Sequence, residues 1–252
     1  MNDQLSLQRL GLVLRSDLLR NYRSALVISG TAALVALLVS LATAYYGSVG
    51  SGPLFYRIFF IAALFAWGTI ATSVCFSDLH GRGTNMAFLL LPASALEKTV
   101  SRLLIHTVGL IVYLIVFTTL LSWVAEGLNT LAFGVRRAFF SPFDRVAWLM
   151  LPHFLVTQAL FFLGAAWFRK VQFVKTVGSA VAIVLGLACT SVAIAWAVGG
   201  AWSDATIRMD GMPRSIEWLV DVAPFLYFYA LPAYCWFVAW LRVTETQVSH
   251  GI

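Results

Sequence analysis

The sequence predicts an all-α membrane protein: six transmembrane helices preceded by an amphipathic interfacial helix, with the N- and C-termini cytoplasmic. Three observations carry that prediction. The chain of 252 residues is 60% hydrophobic and only 11% charged, with a mean hydropathy of +0.85, whereas roughly a quarter of a soluble domain is charged. Six apolar stretches reach the roughly 20 residues that a helix needs to cross a hydrocarbon core about 30 Å thick. With the N-terminus inside, eleven of the 17 Lys and Arg fall in inner segments, and a bias of Lys and Arg toward the inside sets orientation. Two domains are expected, the interfacial segment 1–23 and a membrane unit 24–252 that leaves no soluble domain over.

Residues 3–23 place Leu7, Leu10, Leu14 and Leu18 on one helical face and Arg9, Ser16 and Arg20 on a polar stripe. Such a helix lies along the membrane surface. The first crossing, 24–46, is followed by the uncharged turn GSVGSGP at 47–53, and the second runs over 54–77. So short a link makes the two helices antiparallel neighbours, and Gly68 with Thr72 offers a face for close approach. The third crossing covers 99–124 and the outer loop 125–145. Ser141 as cap, Pro142 at the first helical position and Asp144 in the first turn mark the fourth helix, which ends near 168. Arg169, Lys170 and Lys175 form a cationic inner loop. The fifth helix, 176–198, carries Gly178, Ala182 and Gly186 as a stripe expected to be buried against another helix. An outer segment, 199–222, precedes an aromatic sixth helix, 223–241, which Pro232 is expected to bend.

The segment from Asp78 to Lys98 breaks this pattern. Gly81 and Gly83 loosen the chain, Met86 to Leu91 (MAFLLL) form an apolar run, and Pro92 disfavours helix at Leu91. A new helix then starts at Ser94, where Glu97 stands three residues on and completes a capping box. Six apolar residues in a short loop should be hidden in the bilayer, in the protein itself or in another subunit, and the elbow is read as touching a partner protein.

Asp78, Gly83, Thr84, Leu89, Leu90, Leu91, Pro92, Ser94, Glu97 and Lys98 together resemble one loop of the type-2 permeases of ATP-binding-cassette exporters, between their second and third membrane helices. The departures are an Asp where Glu is commoner, one extra residue before Gly-Thr, and Asn85 with Met86 where an acid often follows. The resemblance implies a transmembrane permease subunit. A separate ATP-binding-cassette ATPase would bind ATP and Mg, dock on this elbow and drive substrate movement. A second permease subunit, identical or not, would complete the path through the lipid of a bacterial cytoplasmic (inner) membrane.

Gly83, Thr84, Met86, Phe88, Leu89, Leu90 and Leu91 are the expected docking surface, Pro92, Ser94 and Glu97 fix the angle of the next helix, and Asp78 and Lys98 anchor the elbow by ion pairs. An alternative is a non-transporting subunit that uses the same contact to drive assembly, envelope remodelling or signalling.

The chemistry expected in this chain itself is sparse. No phosphate-cradling loop with its Lys occurs, nor paired membrane carboxylates, zinc spacing or an activated Ser. No cofactor, metal or catalytic group is therefore expected. The net charge of +6 follows orientation rather than nucleic-acid binding. Cys75, Cys189 and Cys235 read as small core residues. Among ionisable groups within the membrane, His106, with Arg57 and His153 expected near helix ends, are the candidates for an ion or proton path.

Overall fold

No proline or glycine interrupts residues 12–29, and in the computed structural model Leu7–Tyr45 is one unbroken helix of 39 residues, α1. The structure describes residues 6–46, 52–80, 93–198 and 222–249. The expected division at residue 23 into a surface helix and a first crossing is not seen. At 1.5 Å per residue α1 is about 58 Å long, almost twice the hydrocarbon thickness.

Six helices are long and apolar enough to cross a membrane, and no strand occurs among the described residues. After α1 come α2 (Gly52–Ser73) and the short α3 (Ser77–His80). Next are α4 (Ala95–Leu104), a π turn at Ile105–Gly109 and α5 (Leu110–Phe133). The π turn keeps right-handed dihedrals at both ends, so α4 to α5 is one continuous span of 39 residues. Then follow α6 (Arg145–Trp167), α7 (Gln172–Val198), a π turn at Leu226–Ala230 and α8 (Leu231–Ser249). The departure from α geometry in the last crossing thus lies just before Pro232, which has no amide to donate.

Helix pairing can be read from the side-chain bonds. Along α1, Asp17 meets Ser101, Ser29 meets Tyr113 and Ser40 meets Asn129. Both sets of numbers rise together, so the two longest spans run parallel. Ser40 also meets Tyr56, and Arg20 meets Asp78, so α2 is antiparallel to α1 as expected.

Two apolar cores stabilise the bundle. One gathers Tyr56, Phe60, Leu64, Leu110, Leu114 and Phe154 from α2, α5 and α6. The other gathers Phe76, Leu79, Phe162, Ala165, Ala239 and Val243 at the opposite end. A Cβ on Gly68 would sit 2.4 Å from Cε2 of Phe154, so the predicted close approach is real and α6 makes it. Ser6, bonded to Glu97, and Val243, packed with Phe76 and Leu79, both lie at the Asp78 end.

Three expectations are corrected. Residues 125–133, assigned to an outer loop, continue α5, which stops only at Gly134 in the left-handed conformation (φ 67°). Helix α6 is capped by Asp144, whose carboxylate accepts from the Ala147 amide at 3.3 Å, and not by Ser141. That carboxylate also pairs with Arg57 at 2.7 Å, which holds it at the helix start. Gly178 and Gly186 are open on the surface of this chain, with nothing within 4 Å of a Cβ built there. Helix α7 packs instead through its first turns, where Thr176 lies against Gly164 of α6. The sequence-predicted turn at 47–51, the loop 81–92 and the outer segment 199–221 lie outside the described residues.

Candidate functional site

Helix α4 has ten residues, and five of them, Glu97, Lys98, Thr99, Ser101 and Arg102, are polar and buried. Burying such groups is costly unless each is bonded, and the neighbouring elements supply the bonds. The Ser94 hydroxyl accepts from the Glu97 amide at 3.1 Å, and Glu97 Oε2 accepts from the Ser94 amide at 2.9 Å, so the predicted capping box is formed. The other carboxylate oxygen, Oε1, accepts from the Ser6 amide at 2.9 Å and stands 3.7 Å from Nε of Arg9. One carboxylate therefore satisfies the first turns of both α4 and α1.

One turn further along, Asp78 accepts from Arg20 of α1 and from Nη2 of Arg102 of α4, the latter at 3.2 Å. Arg102 also donates to the Cys75 carbonyl, and its guanidinium lies 5.2 Å from the centre of the Phe76 ring. Ser101 donates to Asp17 at 3.3 Å. Four elements, α1, α2 with its C-terminal turn, α3 and α4, are thus pinned by charge-assisted bonds at one end of the bundle.

This junction flanks the sequence-predicted elbow on both sides. Asp78, Ser94, Glu97 and Lys98 are in it. Asp78 pairs with Arg20 and Arg102, and Lys98 is buried beside them. Gly83, Thr84, Met86, Phe88, Leu89, Leu90, Leu91 and Pro92 lie outside the described residues.

A cavity of about 870 Å³ opens beside the junction, between α1, α2 and the α4 to α5 span. Asp17, Arg20, Asp78, Arg102 and His106 line its polar end, and Trp67, Ile70, Val74 and Tyr113 its apolar length. Tyr113 donates to Ser29 at 2.6 Å and meets Trp67 edge-on, which fixes the wall opposite the junction.

No family model, curated protein or solved structure matches the chain.

A second polar cluster lies at the far end of the bundle, where Ser40 of α1, Tyr56 of α2, and Glu126 and Asn129 of α5 are all buried. The sequence reading missed it because Glu126 and Asn129 were assigned to a loop. Their spacing of three on a helix that runs on to Gly134 is the signal that could have shown it. His153 falls within α6, not at its end, and packs against Phe228 with ring centres 5.0 Å apart. No group of three His, Cys, Asp or Glu suited to a metal ion occurs among the described residues.

Proposed function

We propose that the chain is the transmembrane permease subunit of an ATP-binding-cassette exporter, and that the segment 78–98 receives mechanical work from a separate ATPase subunit. One observation supports this most. Asp78 and Glu97, which flank the loop 81–92, are both fastened to α1, and Asp78 is fastened to α4 as well through Arg102. A push on that loop cannot move α4 alone. It would tilt α1 and the parallel α4 to α5 span together, two rods of about 58 Å each, and so would carry the push along the length of the bundle.

The resemblance of the elbow residues to the coupling loop of type-2 permeases supports the same reading, as does the Lys and Arg bias that puts this end inside. ATP and Mg belong to the ATPase subunit. A second permease subunit packs on surfaces that this chain leaves open, with α7 and its bare Gly178 and Gly186 the first candidate. The membrane in this reading is a bacterial cytoplasmic membrane.

Co-purification tests the docking. Expressed with the proteins encoded beside it, the chain retains a soluble ATPase in detergent, and replacing Met86 to Leu91 by polar residues releases that ATPase while the melting temperature holds. Retention by the polar variant refutes the docking surface. Reconstitution in lipid vesicles tests transport, since an exporter subunit must give ATP-dependent solute movement.

A further inference from the structure

The cavity between α1, α2 and the α4 to α5 span is charged at one end and apolar along the rest. It is open on one side, since Leu18, Leu26, Ile70, Val74 and Val108 on its walls are all exposed. Its volume of about 870 Å³ falls in the range of small-molecule sites, about 300–1,000 Å³. Its depth in the membrane follows from α1. Tyr45 and Tyr46, 71% and 82% exposed, stand at the C-terminal end of that helix as interfacial tyrosines do. Asp17 lies about 42 Å back along the helix from Tyr45, which matches the thickness of about 40–45 Å of a bilayer with its headgroups. Asp17 and Arg20 therefore sit at headgroup level. From Asp17 to Ile28 the cavity runs about 16 Å toward the bilayer centre, most of the depth of one leaflet.

The charged end has bonding capacity left over. Arg102 is engaged with Asp78 and the Cys75 carbonyl. Arg20 gives only Nη1 to Asp78, its side chain is half exposed, and its Nε and Nη2 have no protein acceptor among the described residues. Asp17 accepts from Ser101 through Oδ2 at 3.3 Å, which leaves Oδ1 without a hydrogen bond among the described residues. Asp17 and Arg20 stand three apart on one helix, hence on one face, so an acceptor lies beside a donor. With Asp78 and Arg102 the polar end holds two acids and two bases. That balance offers no excess charge to a head that is anionic or cationic overall.

We infer that this cavity binds one phospholipid whose zwitterionic head carries a phosphate and a primary ammonium. Arg20 donates to the phosphate, a charge-assisted pair. Oδ1 of Asp17 accepts from the ammonium, which has N–H donors that a quaternary head lacks. One acyl chain lies along Ile70 and Val74 and ends against Trp67 and Tyr113, whose rings meet edge-on with centres 5.7 Å apart. The second chain stays in the bilayer through the open side. The inference stands whether or not the chain couples to an ATPase.

The full chain, delipidated in detergent, tests it when given phosphatidylethanolamine, phosphatidylcholine or phosphatidylglycerol with the same acyl chains. Phosphatidylethanolamine should raise the melting temperature by several degrees more than the other two, and native mass spectrometry should show one molecule retained per chain. Arg20→Gln should cut that retention about tenfold or more, the loss of one charge-assisted bond. Asp17→Asn should remove the preference over phosphatidylcholine, and Ala71→Phe, which fills the cavity from the α2 side, should abolish retention of all three. Equal stabilisation by the three lipids overturns the site in favour of ordinary lipid contact. Stronger stabilisation by phosphatidylcholine or phosphatidylglycerol overturns the assigned head. Retention that survives in Arg20→Gln and Ala71→Phe puts the lipid elsewhere and overturns the cavity. Arg20→Gln reports even if the Ala71 variant fails to fold, because the exposed Arg20 pair contributes little to stability.

Discussion

The backbone amide of Ser6 donates to Oε1 of Glu97 at 2.9 Å across 91 residues of sequence. A single carboxylate so placed caps its own helix and ties down the start of α1. Losing this carboxylate should therefore cost more than losing the Ser94 hydroxyl that completes the cap.

Ser94→Ala removes only the cap and should lower stability by about 1 kcal/mol. Glu97→Ala strands the amides of both Ser94 and Ser6 and should cost clearly more, because two part-buried donors are left unsatisfied. Reversible unfolding in mixed micelles measures both, and equal losses would mean that the Glu97 carboxylate contributes no more than the Ser94 hydroxyl.

Asp78 offers a second contrast. Two of its partners differ in burial, with the Arg102 side chain 6% exposed and the Arg20 side chain 52% exposed. Asp78→Asn takes the carboxylate from the buried guanidinium and should destabilise by about 2 kcal/mol. Arg20→Ala, which loses a solvated ion pair, should cost less than about 1 kcal/mol. The same unfolding measurement ranks them.

The contact between α6 and α7 is set by one missing methyl group. A Cβ on Gly164 would fall 1.9 Å from Thr176 Oγ1 and 2.8 Å from its Cγ2. Gly164→Ala should therefore lower stability by about 2 kcal/mol through overpacking, and Thr176→Ala should restore only part of it, because the Thr176 Cβ itself stands 2.9 Å from the added methyl group. Gly178→Ala, with nothing within 4 Å, should not destabilise the isolated chain. A double-mutant cycle on melting temperatures checks the coupling.

Labelling from each side of the membrane checks the orientation. In a background without Cys75, Cys189 and Cys235, the variant Phe88→Cys should react with an impermeant maleimide only when the inner face is open to the reagent. Labelling from the outer face would remove the elbow from reach of any cytoplasmic ATPase.

Much of this architecture was legible in the residue order because its signals are local. The capping box at Ser94 and Glu97 needs only residues three apart, and it formed as read. The small-residue face at Gly68 was read correctly, though not the Phe154 that fills it. The end of α5 was misread because Glu126 and Gly127 look like the polar start of a loop. In the fold Glu126 is covered on one side by Tyr56, and the helix runs on until Gly134 supplies a left-handed residue to stop it. The α6 cap was misplaced for a similar reason, since Arg57, 87 residues away, holds Asp144 in place.

Composition and spacing alone determined the six spans and the helix start at Ser94, because hydrophobic length and helix-start chemistry are properties of adjacent residues. Only the tertiary structure decided that α1 runs unbroken beside α4 and α5, that Asp78 and Glu97 both bind it, and that Glu126 and Asn129 are buried with Ser40 and Tyr56. The strength of a charge inside a membrane bundle depends on what other helices bring to it, and that is fixed by packing between segments distant in the chain.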